Sequence, residues 1–524
     1  MRAYLLSIPL LLAGCSLPMP PPPPAPPSLP AVLLAPPPCE KKPEAPGRIT
    51  FRVTRAPDPS GAPMSGRLLV FMSSDKERQP VLGPGFGTLD PAFAAADVDA
   101  LAPGQTIDLD PDKMAFPRPF SELPAGDYQI MAVLDPDHGF PHTLQVDNDL
   151  YGPVEQVTID PAHAGTIALR LDQKSTHGPL IPPEGVVPVA LPSLKLSAFF
   201  GRPVQIEAFV LLPKTADQKK RFPTAYLIPG FGSSDESRLR RAKILREAMD
   251  KPPFSDIALV YLKGEVPTGH HVFADSPGTG PWGAALVEEL IPMLEKLFPL
   301  IARPEARFLT GHSSGGWSSL WLQINHPDFF GGTWSTSPDP VDFHALFGTD
   351  VSPGATDNFY RDHDGKPKSG WRDGPKTLFT FEQLIRYEDV LGRDGGPFST
   401  LEWVFSPRGP HGKPLPLFDR RTGVPDPEVQ KAWARWDIHH VLESRWRELG
   451  PRLKGKLHVW AGAEDNFHLE EGVKRLCAFL KEKGSDATCE IVPGKDHFNL
   501  YGQSYTAEDG LLVRILRDML AKKR

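Results

Sequence analysis

Three residues far apart in the chain could together do chemistry: Ser313, Asp465 and His497. Ser313 lies in Phe308-Leu309-Thr310-Gly311-His312-Ser313-Ser314-Gly315-Gly316-Trp317, a G-x-S-x-G pattern. Ala306 to Thr310 reads as a short apolar strand. Ser314 to His326 reads as a helix stopped by Pro327, so the serine falls on a sharp strand-to-helix corner. Such a corner strains the backbone and pushes the hydroxyl clear of the sheet. The flanking residues must be small because strand and helix crowd there. The bare pattern has little specificity, but two later stretches complete it. Leu457 to Gly462 reads as a strand ending in Ala463-Glu464-Asp465-Asn466, and Thr488 to Val492 as a strand followed by Pro493-Gly494-Lys495-Asp496-His497. Acid and then imidazole, each just past a strand, supply what a serine hydroxyl lacks: a base for its proton and a carboxylate that fixes the base's tautomer. The chemistry implied is acyl transfer to serine followed by hydrolysis, which needs no metal and no organic cofactor. Glu464, Asp339 and Asp496 are rival acids. Asp496 is disfavoured because adjacent side chains usually diverge.

Such a reaction also needs donors for an oxyanion. Thr224 to Ile228 reads as a buried strand, and Pro229-Gly230-Phe231-Gly232-Ser233-Ser234 follows it. Glycines there let the backbone approach a ligand, which makes the amide of Phe231 or of Gly232 one donor. The amide of Ser314, next to the nucleophile, is the other. Ile257 to Tyr261 is a further strand, then comes a helix from Gly283 to Phe298, and Gly332 to Thr336 is the strand after the elbow. Helices from Glu471 to Lys483 and from about Ala507 to Lys522 carry apolar stripes suited to a core. Strands alternating with helices predict a largely parallel sheet covered on both faces.

Over residues of about 200–340 and 455–505 the chain resembles the esterase D-type esterases of the α/β-hydrolase superfamily. That group includes enterochelin esterases, S-formylglutathione hydrolases, feruloyl and acetylxylan esterases, and mycolyltransferases. The resemblance is carried by Gly311-His312-Ser313-Ser314-Gly315-Gly316, by Glu288, Glu289 and Leu290 in the preceding helix, and by His326-Pro327-Asp328-Phe329-Phe330. It implies an α/β-hydrolase fold and a serine esterase acting on an ester such as a carbohydrate or siderophore ester. The chain departs from the pattern at Pro229-Gly230, where relatives often have His-Gly. It departs again at 341–453, which is longer than a strand-to-strand connection in this fold. That insertion, with Trp371, Trp403, Trp433, Trp436 and Trp446, reads as a cap whose aromatic residues form mainly its own small core, partly helical from Val429 to Leu449. His270 and His271 fall on a loop near the site and read as loop-stabilising.

Residues 48–172 show short strands and turns without helical periodicity: Ile49 to Val53, Gly66 to Met72, Asp127 to Leu134 and Gly165 to Leu171. They predict an all-β immunoglobulin-like sandwich ahead of the catalytic domain at 173–524, with 173–200 as linker and first segment. Leu123-Pro124-Ala125-Gly126-Asp127-Tyr128 resembles the turn in which a tyrosine hydroxyl ties back to the backbone. Asp135, Asp137, Asp147 and Asp149 lack the spacing and the glutamate of a calcium loop and read as turn residues.

The chain has 524 residues with 40% hydrophobic and 23% charged, and a net charge of -7, with no basic stripe that would suit nucleic acid. Residues 1–15 read as an export signal, with Arg2 before an apolar stretch too short to span a bilayer. Leu12-Ala13-Gly14-Cys15 resembles the bacterial lipobox, which implies acylation of Cys15 and a membrane anchor. Ser16 in place of an aspartate favours the outer membrane. Residues 16–47 form a linker, about half proline from residue 18 on, that reads as an extended spacer with Cys39 as an unpaired thiol. The cysteines have no zinc spacing. Cys477 and Cys489 lie on an adjacent helix and strand; an exported protein permits a disulfide between them, and the sequence leaves bonded and free thiols equally open. Beside the esterase reading stand a non-catalytic surface scaffold and a serine peptidase of the same superfamily. The intact Ser313, Asp465 and His497 argue against the scaffold.

Overall fold

The computed structural model of the protein describes residues 49–522, apart from 59–60, 81–88, 138–146, 161–162, 177, 215–219 and 503. The signal, Cys15, the proline-rich spacer and Cys39 lie outside the described residues.

Eight strands form the central sheet: β1 Val186–Pro192, β2 Gln205–Leu211, β3 Thr224–Ile228, β4 Ala258–Leu262, β5 Arg307–His312, β6 Gly332–Thr336, β7 Leu457–Gly462 and β8 Thr488–Val492. Their spatial order is β1-β2-β4-β3-β5-β6-β7-β8, and β2 runs antiparallel to both its neighbours while β4 to β8 pair in parallel. This is the α/β-hydrolase sheet. Alternation along the strands explains its two cores, because successive side chains point to opposite faces. Tyr226, Val260 and Leu309 enter one core with Leu286, Leu290 and Phe330. Leu227, Leu259 and Phe308 enter the other, with Trp334 and with Leu512 and Leu516 of the last helix. The sequence reading missed β1, because Pro188 and Pro192 speak against a strand. At the sheet edge a proline displaces no ladder bond that the sheet needs, and Val186–Pro192 pairs with β2 alone.

Ahead of this sheet the described residues from 49 to 174 are mainly strand, turn and loop, with a short helical turn at Phe120–Glu122. A three-stranded sheet and a seven-stranded sheet share a core in which Phe51, Val53 and Leu169 of the first meet Leu68, Val70, Ile130 and Ala132 of the second. The Tyr128 hydroxyl donates to Pro124 O at 2.8 Å, so the strand Gly126–Asp135 is tied to the turn that enters it.

The insertion is not a core of its own. Most of its aromatic residues, Trp403 apart, belong to or pack against one continuous cluster with Phe71, Phe93 and Phe116 of the N-terminal strands and with Trp317 and Leu320 of the elbow helix. Tyr387 meets Phe93 and Phe116 edge-on at 5.5 and 5.3 Å, and Phe116 stacks on Phe379. Each such pair contributes about 0.5–1.5 kcal/mol beyond its buried area. Arg67 Nη2 donates to Asp389 O at 2.7 Å and Arg386 Nε to Ala115 O at 2.8 Å, stitching the two regions together. Within the insertion, Arg420 meets Glu388 at 2.8 Å and Glu402 at 2.9 Å, and both carboxylates are fully buried.

Candidate active site

β5 enters the elbow and the helix Ser314–Asn325 leaves it. At the corner Ser313 has φ 59° and ψ -125°, a left-handed conformation that costs a non-glycine residue on the order of 1–3 kcal/mol. The flanking glycines are sterically required. A Cβ on Gly311 would lie 2.2 Å from Gly315 O, and one on Gly315 would lie 2.1 Å from Ile228 O. The strand, the helix and the neighbouring β3 leave no room for larger residues.

Asp465 and His497, read from the sequence as acid and base, lie in contact. Asp465 Oδ2 accepts from His497 Nδ1 at 2.9 Å, which leaves Nε2 as the ring nitrogen available to substrate. Asn466 fixes the backbone beneath the ring, its Oδ1 accepting His497 N–H at 3.0 Å. Burial pushes the Asp465 carboxyl up, but the charge and hydrogen bond of His497 and the Phe467 amide outweigh burial and hold it below the usual range. His312 lies against His497 with ring centroids 4.5 Å apart. Burial and the neighbouring His497 drive His312 down to about 3, so it adds no competing charge. Of the rival acids, Glu464 is exposed, and Asp496 accepts the Phe498 and Asn499 amides of its own turn.

Ser313 and His497 line the same cavity, yet no hydrogen bond joins them among the described residues. The Ser313 hydroxyl donates instead to Asp339 Oδ1 at 3.2 Å, and Ser314 Oγ donates to Asp339 Oδ2 at 2.6 Å. Asp339 follows β6, and its backbone N–H donates to Ser313 O at 3.1 Å. Burial raises its pKa against the pull of these hydroxyls and of His497. In this structure the Ser313 hydroxyl is turned toward Asp339, and rotation about χ1 can redirect it. The sequence reading named Asp339 only as a rival acid. Its place after β6 was the available signal.

Of the two candidate loop donors, Gly232 is engaged elsewhere: its N–H donates to Glu265 Oε1 at 2.6 Å. Phe231 lines the cavity beside Ser313. The other predicted donor, Ser314, opens the elbow helix, where the N-terminal end of the helix dipole favours negative charge.

Two cavities meet at this point and share Phe231, Ser313, His497 and Phe498. One, of about 270 Å³, is walled by Phe347, Trp371, Leu384 and Phe398 of the cap and by Phe467. The other, of about 350 Å³, runs under the Pro229-Gly230 loop past Arg241, Tyr261, Tyr501 and Tyr505. Trp371 stacks on the exposed Phe498 with centroids 5.6 Å apart. The insertion is strapped to the loop after β7: Arg372 Nε donates to Asp465 O at 2.9 Å and its Nη2 to Glu470 at 2.8 Å. Trp433 and Trp436, by contrast, are buried in the core. Cys477 and Cys489 are joined as a disulfide, with Cα atoms 5.9 Å apart. No described helix is long and apolar enough to cross a membrane.

No curated protein matches the chain. Similar solved structures include a ferulic acid esterase, 15% identical over 64% of this chain and 98% of its own, with a TM-score of 0.38. An S-formylglutathione hydrolase from Staphylococcus aureus is 15% identical over 65% of this chain and 98% of its own, with a TM-score of 0.35. MPT51 from Mycobacterium tuberculosis is 12% identical over 65% of this chain and 99% of its own, with a TM-score of 0.39. Residues 199–454, which hold the Pro229–Ser233 loop, the Ser313 elbow and the insertion, match the Esterase family, described as "Putative esterase". That stretch, just under half of the chain, is similar to this esterase family.

Proposed function

We propose that the protein is an exported, lipid-anchored serine esterase that hydrolyses its ester through an acyl-serine intermediate. The observation that carries this reading is the meeting of Ser313 on its strained elbow with the Asp465–His497 pair at one cavity. Ser313 Oγ turns from Asp339 toward His497, gives its proton to Nε2 and attacks the ester carbonyl. Asp465 holds the ring and steadies the imidazolium. The amides of Ser314 and Phe231 take the oxyanion, each such donor contributing on the order of 10²–10³ in rate. His497 then protonates the leaving alcohol. Water that loses a proton to the same nitrogen attacks the acyl carbon and releases the acid.

The aromatic, cap-walled cavity suits an apolar acyl group. The tyrosine-lined cavity with Arg241 suits a hydroxylated alcohol such as a sugar or a siderophore. The N-terminal strands at 48–172 form an immunoglobulin-like sandwich, a reading supported by the Tyr128 tie. The catalytic domain is 173–524 with its cap at 341–453. Cys15 carries the acyl chains, and the spacer at 16–47 holds the enzyme away from the outer membrane.

The test is steady-state hydrolysis of p-nitrophenyl esters of graded acyl length. The wild type should turn over uncharged apolar acyl esters, and Ser313→Ala should lose at least about 10⁴-fold in kcat. A variant that retained wild-type turnover would remove Ser313 from the reaction.

A further inference from the structure

The oxyanion loop Pro229-Gly230-Phe231-Gly232-Ser233 belongs to no strand, yet its placement decides where one donor points. Two side chains of a single short hairpin, Glu265–Val266 paired with Gly269–His270, hold it from the side. Glu265 takes the Gly232 N–H. His270 Nδ1 accepts the Val272 N–H at 3.0 Å, so the ring hydrogen sits on Nε2, which donates to Pro229 O at 3.0 Å. His270 is 1% exposed, and burial drives it down to about 4, which keeps this neutral tautomer. The hairpin is in turn fixed to the cap. Thr400 Oγ1 accepts the His270 N–H at 2.8 Å and donates to His270 O at 3.1 Å. There is no slack in this contact: a Cβ on Gly264 would lie 2.1 Å from His270 Nε2, and one on Gly269 would lie 2.3 Å from Thr400 Oγ1.

We infer that Glu265 is a positioning residue for ester hydrolysis: by binding the Gly232 amide it sets the loop so that the Phe231 amide serves the oxyanion, with His270 as a second tether that reports the position of the cap. The inference rests on the serine-esterase reading of Ser313. Glu265 touches neither substrate nor nucleophile and acts through the peptide it holds. A displacement of about 1 Å in a catalytic group can cost on the order of 10²-fold in rate, so a clamp two residues long is enough to matter.

The surroundings of Glu265 make the clamp sensitive to pH. On its other side lies a cavity of about 690 Å³ lined also by Lys263, Glu207, Arg202, Arg408 and His271. Lys263 is held by Glu207 at 3.2 Å and Asp235 at 2.9 Å, and Arg408 Nη2 donates to Gly278 O at 3.0 Å. No ion pair among the described residues includes Glu265. Burial pushes its carboxyl up to about 7 against the opposing pull of the Gly232 and Ser233 amides. Protonation there weakens the acceptor that holds Gly232.

The experiment compares full-length wild type with Glu265→Ala and Glu265→Gln. It measures kcat and KM on a p-nitrophenyl ester, affinity for a boronic acid that mimics the tetrahedral intermediate, and amide hydrogen exchange over 229–234. Alanine should lower kcat and boronate affinity together by roughly 10–100-fold, leave KM within about twofold and speed exchange in the loop. Glutamine keeps an acceptor oxygen, so it should restore kcat to within about fivefold and flatten the acid limb of boronate affinity below pH 7. Wild-type boronate affinity in the alanine variant, or unchanged loop exchange, overturns the clamp. If alanine does not fold, a glutamine variant with the wild-type pH dependence of boronate affinity overturns it just as well. Loop exchange needs no turnover and judges the clamp independently, whereas failure of the esterase reading shows as retained activity in Ser313→Ala.

Discussion

Asp465 and His497 stand on loops that leave two adjacent strands, β7 and β8, paired in register from His458 with Thr488 to Gly462 with Val492. Phe231 stands on a loop that leaves β3 and is held by side chains from a hairpin outside the central sheet. One arm of the site is therefore placed by backbone ladders, and the other by long-range side-chain bonds. The first kind of placement survives most side-chain changes, so substitutions there act on the chemistry. The second kind is moved by substitutions that never touch substrate.

The largest test of this contrast is Asp465→Asn. The ladder should hold the ring in place while its tautomer is lost, so kcat should fall by about 10³–10⁴-fold with KM nearly unchanged, as read by steady-state kinetics. On the other arm, Gly230→Ala brings a Cβ to 3.1 Å from His312 O and 3.2 Å from Ser313 Cβ. The loop must shift by a few tenths of an ångström, and kcat should fall by roughly tenfold with intact imidazole chemistry and an unchanged alkaline limb. Equal losses from the two substitutions would erase the distinction.

The smallest effect is on folding stability against pH. The folded Glu265 carboxyl is raised to about 7, while its unfolded value is about 4.3. Between these values the folded chain keeps a proton that the unfolded chain has lost, so stability falls as pH rises through that window. Asp149, also raised to about 7 by burial and by Asp135 and Asp137, acts with the same sign. Asp465 is depressed and acts oppositely: its contribution is present above about pH 3.9 and is lost on further acidification. Denaturant midpoints between pH 5 and 7 should therefore decline with pH, and Glu265→Gln should reduce the slope without abolishing it.

The same contrast explains what could be read from the residues alone. β3, β7 and β8 begin and end where the apolar runs do, and the elbow is written in Gly311, Ser313 and Gly315. β1 was hidden by two prolines that only an edge position permits. Ala92–Leu101, a ten-residue strand, was missed because three of its first four residues are alanines that pack well but carry little strand preference. The hold of Asp339 on the Ser313 hydroxyl, the Glu265 bond to Gly232 and the shared core of cap and N-terminal strands all join residues distant in the chain. No local periodicity encodes such meetings. His270 read as loop-stabilising, and its bond to Pro229 is of that kind, though the loop it steadies is the one proposed to offer an oxyanion donor.

The central claim is that the Ser313 hydroxyl is the nucleophile. A fluorophosphonate reacted with the full chain and mapped by peptide mass spectrometry tests it most directly. One adduct is expected, on the peptide carrying Ser313, and it should disappear in Ser313→Ala. An adduct on another residue, or labelling that survives the substitution, would contradict it.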